Sequence, residues 1–110
     1  MGRDGFLGEF EQMLLLAALR LGDDAFGTRL MEELDESVGR RVSRGAVYVT
    51  LNRLEEKGLL TSQSSPAEGN RGGRPRRVVT VTPEGRTELR RTRDALRTLW
   101  SGVEDALDSA

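Results

Sequence analysis

Ser43 to Gly58 reads SRGAVYVTLNRLEEKG. Ser43 suits an N-cap, because its hydroxyl accepts from an early helical N–H. Val47, Leu51 and Leu54 recur at i, i+4 and i+7, which puts them on one helical face. Gly58 suits the end of the helix, where a left-handed residue closes the last turn. On a wheel of about 100° per residue the opposite face carries Gly45, Val49, Asn52, Arg53 and Glu56. Arg44 and Tyr48 flank it. An ordinary amphipathic surface helix would share the apolar stripe. The outward mixture of Arg, Gly, Tyr, Val and Asn suits a DNA major groove better. There Asn pairs with adenine, Arg with guanine or phosphate, and Val with a thymine methyl.

Composition narrows the alternatives. A chain of 110 residues has room for one small domain with an appended element, and oligomerisation commonly supplements so small a core. There is no Cys and no His, which removes thiol nucleophiles, disulfides, imidazole bases and the usual zinc ligand sets. No phosphate-loop pattern and no pair of inward carboxylates is evident, so neither an enzyme nor a metal or other cofactor is expected. The apolar run Met13 to Leu19 is too short to span a bilayer. Acidic Glu9 and Glu11 precede it, where a signal peptide wants a basic start. The expectation is a soluble, cytoplasmic protein with no membrane partner.

The net charge of −1 hides a partition. Residues 1–39 hold three Arg against nine acids, a net −6. Residues 40–77 hold nine Lys/Arg against three Glu, a net +6, and residues 78–110 hold five Arg against six acids, a net −1. Positive charge therefore gathers on the central helix and the segment after it, as phosphates would require.

The flanking elements fit that helix into a known type of unit. Leu7, Phe10, Leu14, Ala17 and Leu21 predict a first helix over about residues 8–21. Met13, Leu15, Leu16 and Leu19 make it apolar almost all round, so part of its surface is expected to meet a second chain. Asp23 and Asp24 are expected to cap a second helix over 25–38, with Phe26, Leu30, Leu34 and Val38 as its stripe. A metal site from these two Asp is the weaker alternative, since adjacent side chains diverge. The short Gly39–Val42 turn then leads to Ser43. Two helices so joined predict a helix-turn-helix with Ser43–Lys57 in the reading position.

After Gly58, Leu59–Gln63 and Val78–Val81 read as strands. The basic, Gly-rich segment 64–77 lies between them, and strand, loop and strand make a wing. Its Arg71, Arg74, Arg76 and Arg77 are expected to follow the phosphate backbone or enter the minor groove. Thr82-Pro83-Glu84 then starts a last helix running to about Leu107. Leu89, Leu96 and Val103 repeat at seven, with Leu99, Trp100, Ala106 and Leu107 beside them. A rod of ~38 Å cannot cover that seam alone. A homodimer is inferred, with Leu14 of helix one and Leu89, Leu96, Leu99, Trp100, Val103 and Leu107 at the interface. The fold class is mainly α with a small β-wing. Residues 1–82 form a winged helix-turn-helix, and 83–110 a C-terminal dimerisation helix.

The segments LLLAALRLGDDAFGTRLMEEL, SRGAVYVTLNRLEEKGLL and GGRPRRVVTVTPEGRTEL resemble the PadR family of winged-helix transcriptional regulators over about residues 7–90. The single short tail helix is similar to the family's short-tailed subgroup, whose dimers pair through it. The resemblance implies a repressor whose dimer binds a pseudo-palindromic double-stranded operator near its promoter. Ser43, Arg44, Gly45, Tyr48 and Asn52 fall on the family's DNA-facing helix positions, and Arg71, Arg74 and Arg76 in its wing. Val78 and Val79 depart from the aromatic residues that many members carry after the wing's basic pair. In drug-sensing short-tailed members a Trp similar to Trp100 stacks on flat lipophilic compounds between subunits. The resemblance thus also implies a small aromatic or cationic effector, which Glu104 and Asp105 would attract. The rival reading is a winged-helix protein-interaction module that does not bind DNA.

Overall fold

The computed structural model describes residues 5–65 and 75–109. Its order is α1 (Glu9–Leu21), a 3-10 turn (Gly22–Asp24), α2 (Gly27–Val38), α3 (Arg44–Glu56), β1 (Leu60–Ser65), β2 (Arg76–Val81), α4 (Pro83–Trp100) and α5 (Glu104–Asp108). Leu14 and Leu15 of α1, Leu30 and Leu34 of α2, and Val47, Leu51 and Leu54 of α3 meet in one core. Leu59, Leu60, Val79 and Val81 of the hairpin close it from below. Burying a side chain of this size stabilises by about 1.5–3 kcal/mol, so the stripe of α3 fixes which of its faces remains outside.

The helix ends follow their local chemistry. Ser43 Oγ accepts from the Ala46 N–H at 3.1 Å, as expected of the cap. Gly58, at φ +78°, ends α3. The Leu59 N–H reaches back to the Leu54 carbonyl at 3.0 Å and the Gly58 N–H to that of Glu55 at 3.0 Å, which is the Schellman arrangement. Thr82 caps α4 through the Gly85 N–H at 3.0 Å and donates its hydroxyl to the Gly58 carbonyl at 2.7 Å. Gly85 lies so close to the Leu59 carbonyl that any Cβ there would collide with it. The root of α4 is therefore stapled to the end of α3.

β1 and β2 pair antiparallel, from Leu60 opposite Val81 to Ser65 opposite Arg76. Phe26 bridges to Val78 on the far edge of β2, and the Val79 N–H donates to the Ala25 carbonyl at 2.9 Å. The hairpin is thus tied to the start of α2 as well as to α3. Both strands extend two residues beyond their expected ends at the loop side.

Four expectations are corrected. Asp23 and Asp24 do not cap α2: they form the 3-10 turn, and Phe26 occupies the N-cap without a side-chain bond. Leu14 is fully buried in its own core, so it cannot lie at an interface between chains. Leu89 likewise faces inward, against the core of its own chain. The last helix does not run unbroken to Leu107. It stops at Trp100, Gly102 takes φ +86°, and a short α5 follows. Glycine carries a high helical cost and reaches positive φ without a Cβ clash, so the seam continues in the sequence across a break in the backbone.

Candidate nucleic-acid interface

The face of α3 away from the core is open from its first residue. Arg44, Gly45, Val49, Asn52 and Arg53 are exposed, Val49 by 56%. Among the described residues outside its own helical turn, no atom lies within 4 Å of the space a Gly45 side chain would fill. A large exposed Val amid polar neighbours suits an apolar contact such as a thymine methyl. Ser43 remains exposed while its hydroxyl serves the cap.

Tyr48 occupies a different position from the one the helical wheel suggests. It is half-buried, and its hydroxyl end sits over Gly27 at the start of α2, where a Cβ would collide with it. It wedges α2 against α3, so its ring is a packing element at the border of the open face. Phe26, Gly27, Thr28, Arg44, Tyr48, Pro75, Arg76 and Arg77 surround a groove of about 500 Å³ there. The uncapped N-terminus of α2 opens beside it, and Arg76 lies over the Phe26 ring at 4.4 Å. A helix N-terminus beside arginines favours an anionic oxygen.

The positive charge of residues 40–77 is partly spent within the chain. Arg40 pairs with Glu9 at 2.8 Å, Lys57 with Glu11 at 2.8 Å, and Arg41 lies 3.9 Å from Asp35. Arg77 pairs with Glu55 at 2.8 Å and also bonds Asn52 and Ser62. Partial burial pushes Glu11 up, but bonds from Lys57 and the Gly8 N–H outweigh it and leave its pKa lowered. The Ser62 hydroxyl and then the Arg77 guanidinium hold the Glu55 carboxyl below its usual range. Arg44 and Arg53 make no ion pair with the described residues. Both are exposed, and Arg76, half-buried over Phe26, likewise has no ion pair among the described residues. Arg71 and Arg74 lie outside the described residues.

Glu55 and Ser62 belong to this site although the sequence reading gives neither a role: Glu55 lies within the α3 segment and Ser62 within the first strand. Only the hairpin's return under α3 brings Arg77 to both.

At the other end of the molecule a groove of about 480 Å³ runs between α1 and α4. Leu16, Leu19, Leu89, Leu96 and Trp100 form its apolar part, and Arg86, Arg90, Arg93 and Arg97 its rim. Leu96, Leu99, Trp100, Val103 and Leu107 are all exposed, Leu99 by 73% and Leu107 by 64%. Among the described residues no group of acidic side chains is placed to hold a metal ion, and no helix is long and apolar enough to cross a membrane.

Three helices and a two-stranded wing, with the outer face of the third helix open beside the wing, define a winged helix-turn-helix, the class of regulator that docks on DNA. More specifically, the chain belongs to the PadR-like family of transcriptional regulators, whose pattern matches residues 15–91. It is 43% identical over 77 residues to Transcriptional regulator Rv3488 of Mycobacterium tuberculosis (strain ATCC 25618 / H37Rv), covering 70% of this chain and 67% of that one. The PadR family transcriptional regulator of Eggerthella lenta DSM 2243 superposes with a TM-score of 0.69 at 27% identity, over 93% of this chain and 88% of that one. A PadR-like regulator of Bacillus cereus strain ATCC 14579 gives 0.72 at 19% identity over 90% and 91%, a likeness of fold. The chain is thus a regulator of transcription and not an enzyme.

Proposed function

We propose that this chain is a sequence-specific repressor that binds a pseudo-palindromic operator as a homodimer. One observation carries the DNA half of this reading: α3 keeps Arg44, Gly45, Val49, Asn52 and Arg53 in solvent while its other face is locked in the core. Arg44 and Arg53 reach guanine or phosphate, Val49 a thymine methyl, and Gly45 lets the backbone approach. The α2 N-terminus and Arg76 hold a phosphate beside the groove, with Arg71 and Arg74 along the adjoining backbone. The dimer half rests on the uncovered row Leu96, Leu99, Trp100, Val103 and Leu107. A row of that size on a small domain marks an interaction surface, and a symmetric pair is the commonest way to cover one.

Release by a small ligand completes the reading. Trp100 is its contact, offering a half-exposed ring to a flat molecule. Four arginines rim the groove beside it, so an aromatic acid suits the local field better than the cation expected from Glu104 and Asp105.

The test is titration of the purified protein onto its own upstream promoter fragment and onto scrambled duplex. A preference for the promoter fragment is expected, with a log–log salt slope that steepens by about 0.9 for each phosphate contacted. Arg44→Ala should lower discrimination, and Arg76→Ala should weaken binding to both duplexes alike. Equal affinity for both duplexes would sink the operator claim. No binding to any duplex at moderate salt would leave the protein-interaction reading in its place.

A further inference from the structure

Four side chains form a closed network where the wing meets α3. Arg77 donates from Nη1 to Asn52 Oδ1 at 2.9 Å, from Nη2 to Glu55 Oε1 at 2.8 Å and from Nε to Ser62 Oγ at 2.9 Å. Ser62 Oγ donates in turn to Glu55 Oε1 at 2.6 Å. All three guanidinium nitrogens are thereby engaged, and the planar fork fixes their directions together. Glu55 offsets the charge, so little remains to attract a phosphate. Asn52 is exposed on the reading face of α3, yet its orientation is not free. Arginine has donors only, so the carboxamide atom turned toward it is the oxygen.

We infer that Arg77 is a positioning residue for base reading: it turns the Asn52 oxygen toward the wing and leaves the Asn52 amide nitrogen as the group offered to the groove. This rests on the DNA reading above and refines it. A free Asn pairs with adenine by giving one hydrogen bond to N7 and accepting one from N6. With one lone pair of its oxygen taken and the carboxamide turned toward the wing by Arg77, Asn52 presents its amide donor first, to an acceptor edge. Purine N7, guanine O6 and thymine O4 meet that requirement, whereas the amino group of cytosine does not. The second consequence concerns the wing. Arg77 ties β2 to α3 through Asn52 and Glu55, so Arg76 on the same strand and the reading helix approach DNA as one body.

Two measurements test the inference. The first needs no DNA: the side-chain amide resonances of Asn52 in the free protein. Arg77→Ala and Arg77→Lys should both shift that pair, since Lys keeps the charge and loses the fork. An unchanged pair would overturn the inference. The second is selection of binding sites from a randomised duplex pool. The base position whose preference disappears in Asn52→Ala is the one Asn52 reads, and wild type should favour a purine or thymine there over cytosine. Arg77→Ala and Arg77→Lys should each lose about tenfold of that preference, the Asn52→Ala/Arg77→Ala double variant should lose no more, and the salt slope should hold. A preference kept in Arg77→Ala together with a salt slope shallower by about 0.9 would make Arg77 a phosphate contact and overturn the inference. If wild type selected no sequence, the DNA reading itself would fall, and the amide resonances would separately show whether the network exists.

Discussion

The winged end and the tail end of this chain handle their apolar side chains in opposite ways. At the winged end Val47, Leu51, Leu54, Leu60 and Val79 all find cover within the chain, and the outer face of α3 is mostly polar, with Arg, Asn, Gly and Glu around the single exposed Val49. At the tail end Leu96, Leu99, Trp100, Val103 and Leu107 stay in solvent. The core face of the winged end is complete and its outer face is chemically suited to a polar partner. The tail has an apolar face that the described residues of its own chain cover only in part. A fold closed at one end and open at the other is what a subunit looks like when one surface meets a nucleic acid and the other meets its own copy.

The largest effect that would sharpen this contrast belongs to the core. Leu51→Ala should cost about 2–5 kcal/mol, seen as a lowered denaturant midpoint, whereas Leu99→Ala should leave the monomer's stability nearly unchanged. Equal losses at both positions would erase the distinction between the ends. Next in size is pairing through the tail. Leu99→Asp should weaken the dimer by roughly 1.5–3 kcal/mol for each buried Leu it replaces, read by sedimentation at falling concentration. A wild-type chain that sedimented as a monomer throughout would break the tail side of the comparison.

A smaller gain is expected at the junction of the two regions. Thr92 is buried, and its hydroxyl has no hydrogen-bond partner among the described residues. Thr92→Val keeps the shape and removes the unpaired hydroxyl, so it should stabilise by about 1 kcal/mol. A loss of stability there would mean that the hydroxyl is satisfied in solution.

The weakest effect is acid sensitivity at the winged end. Glu11 and Glu55 both sit below the ordinary carboxyl value of 4.5. Groups with depressed values contribute fully above that value and lose their contribution as pH falls through the lowered ones. Denaturant midpoints should therefore be flat near neutrality and decline in acid, and Glu55→Gln should remove part of the decline. Midpoints that rose in acid would contradict the pairing of both groups.

Much of this was legible before any coordinates. Ser43, Gly58 and Thr82 mark helix ends by local chemistry that does not depend on distant contacts, and each end lies where its residue implies. The spacing of Val47, Leu51 and Leu54 marks the core face for the same reason. What a single helix cannot reveal is which of two apolar faces turns inward, so Leu14 and Leu89 read as interface residues although both lie inside. The Gly102 break escaped a reading based on periodicity, because the apolar repeat continues past it. Within the site, Arg76 and Arg77 look equivalent in sequence. Strand alternation and the hairpin's register send one over Phe26 and the other to Glu55, Asn52 and Ser62. Arg77 finds Glu55 22 residues away, a separation that no local pattern reports.

The most direct test of the central claim is affinity as a function of half-site spacing. A dimer joined through its tails and presenting two α3 helices to one face of a duplex requires half-sites about 10–10.5 base pairs apart, or a multiple. Inserting about five base pairs, roughly half a turn, between the half-sites of its own operator should abolish the tight complex, and a full-turn insertion should weaken it less. Binding that stayed equally tight at every spacing would contradict a symmetric pair of reading helices.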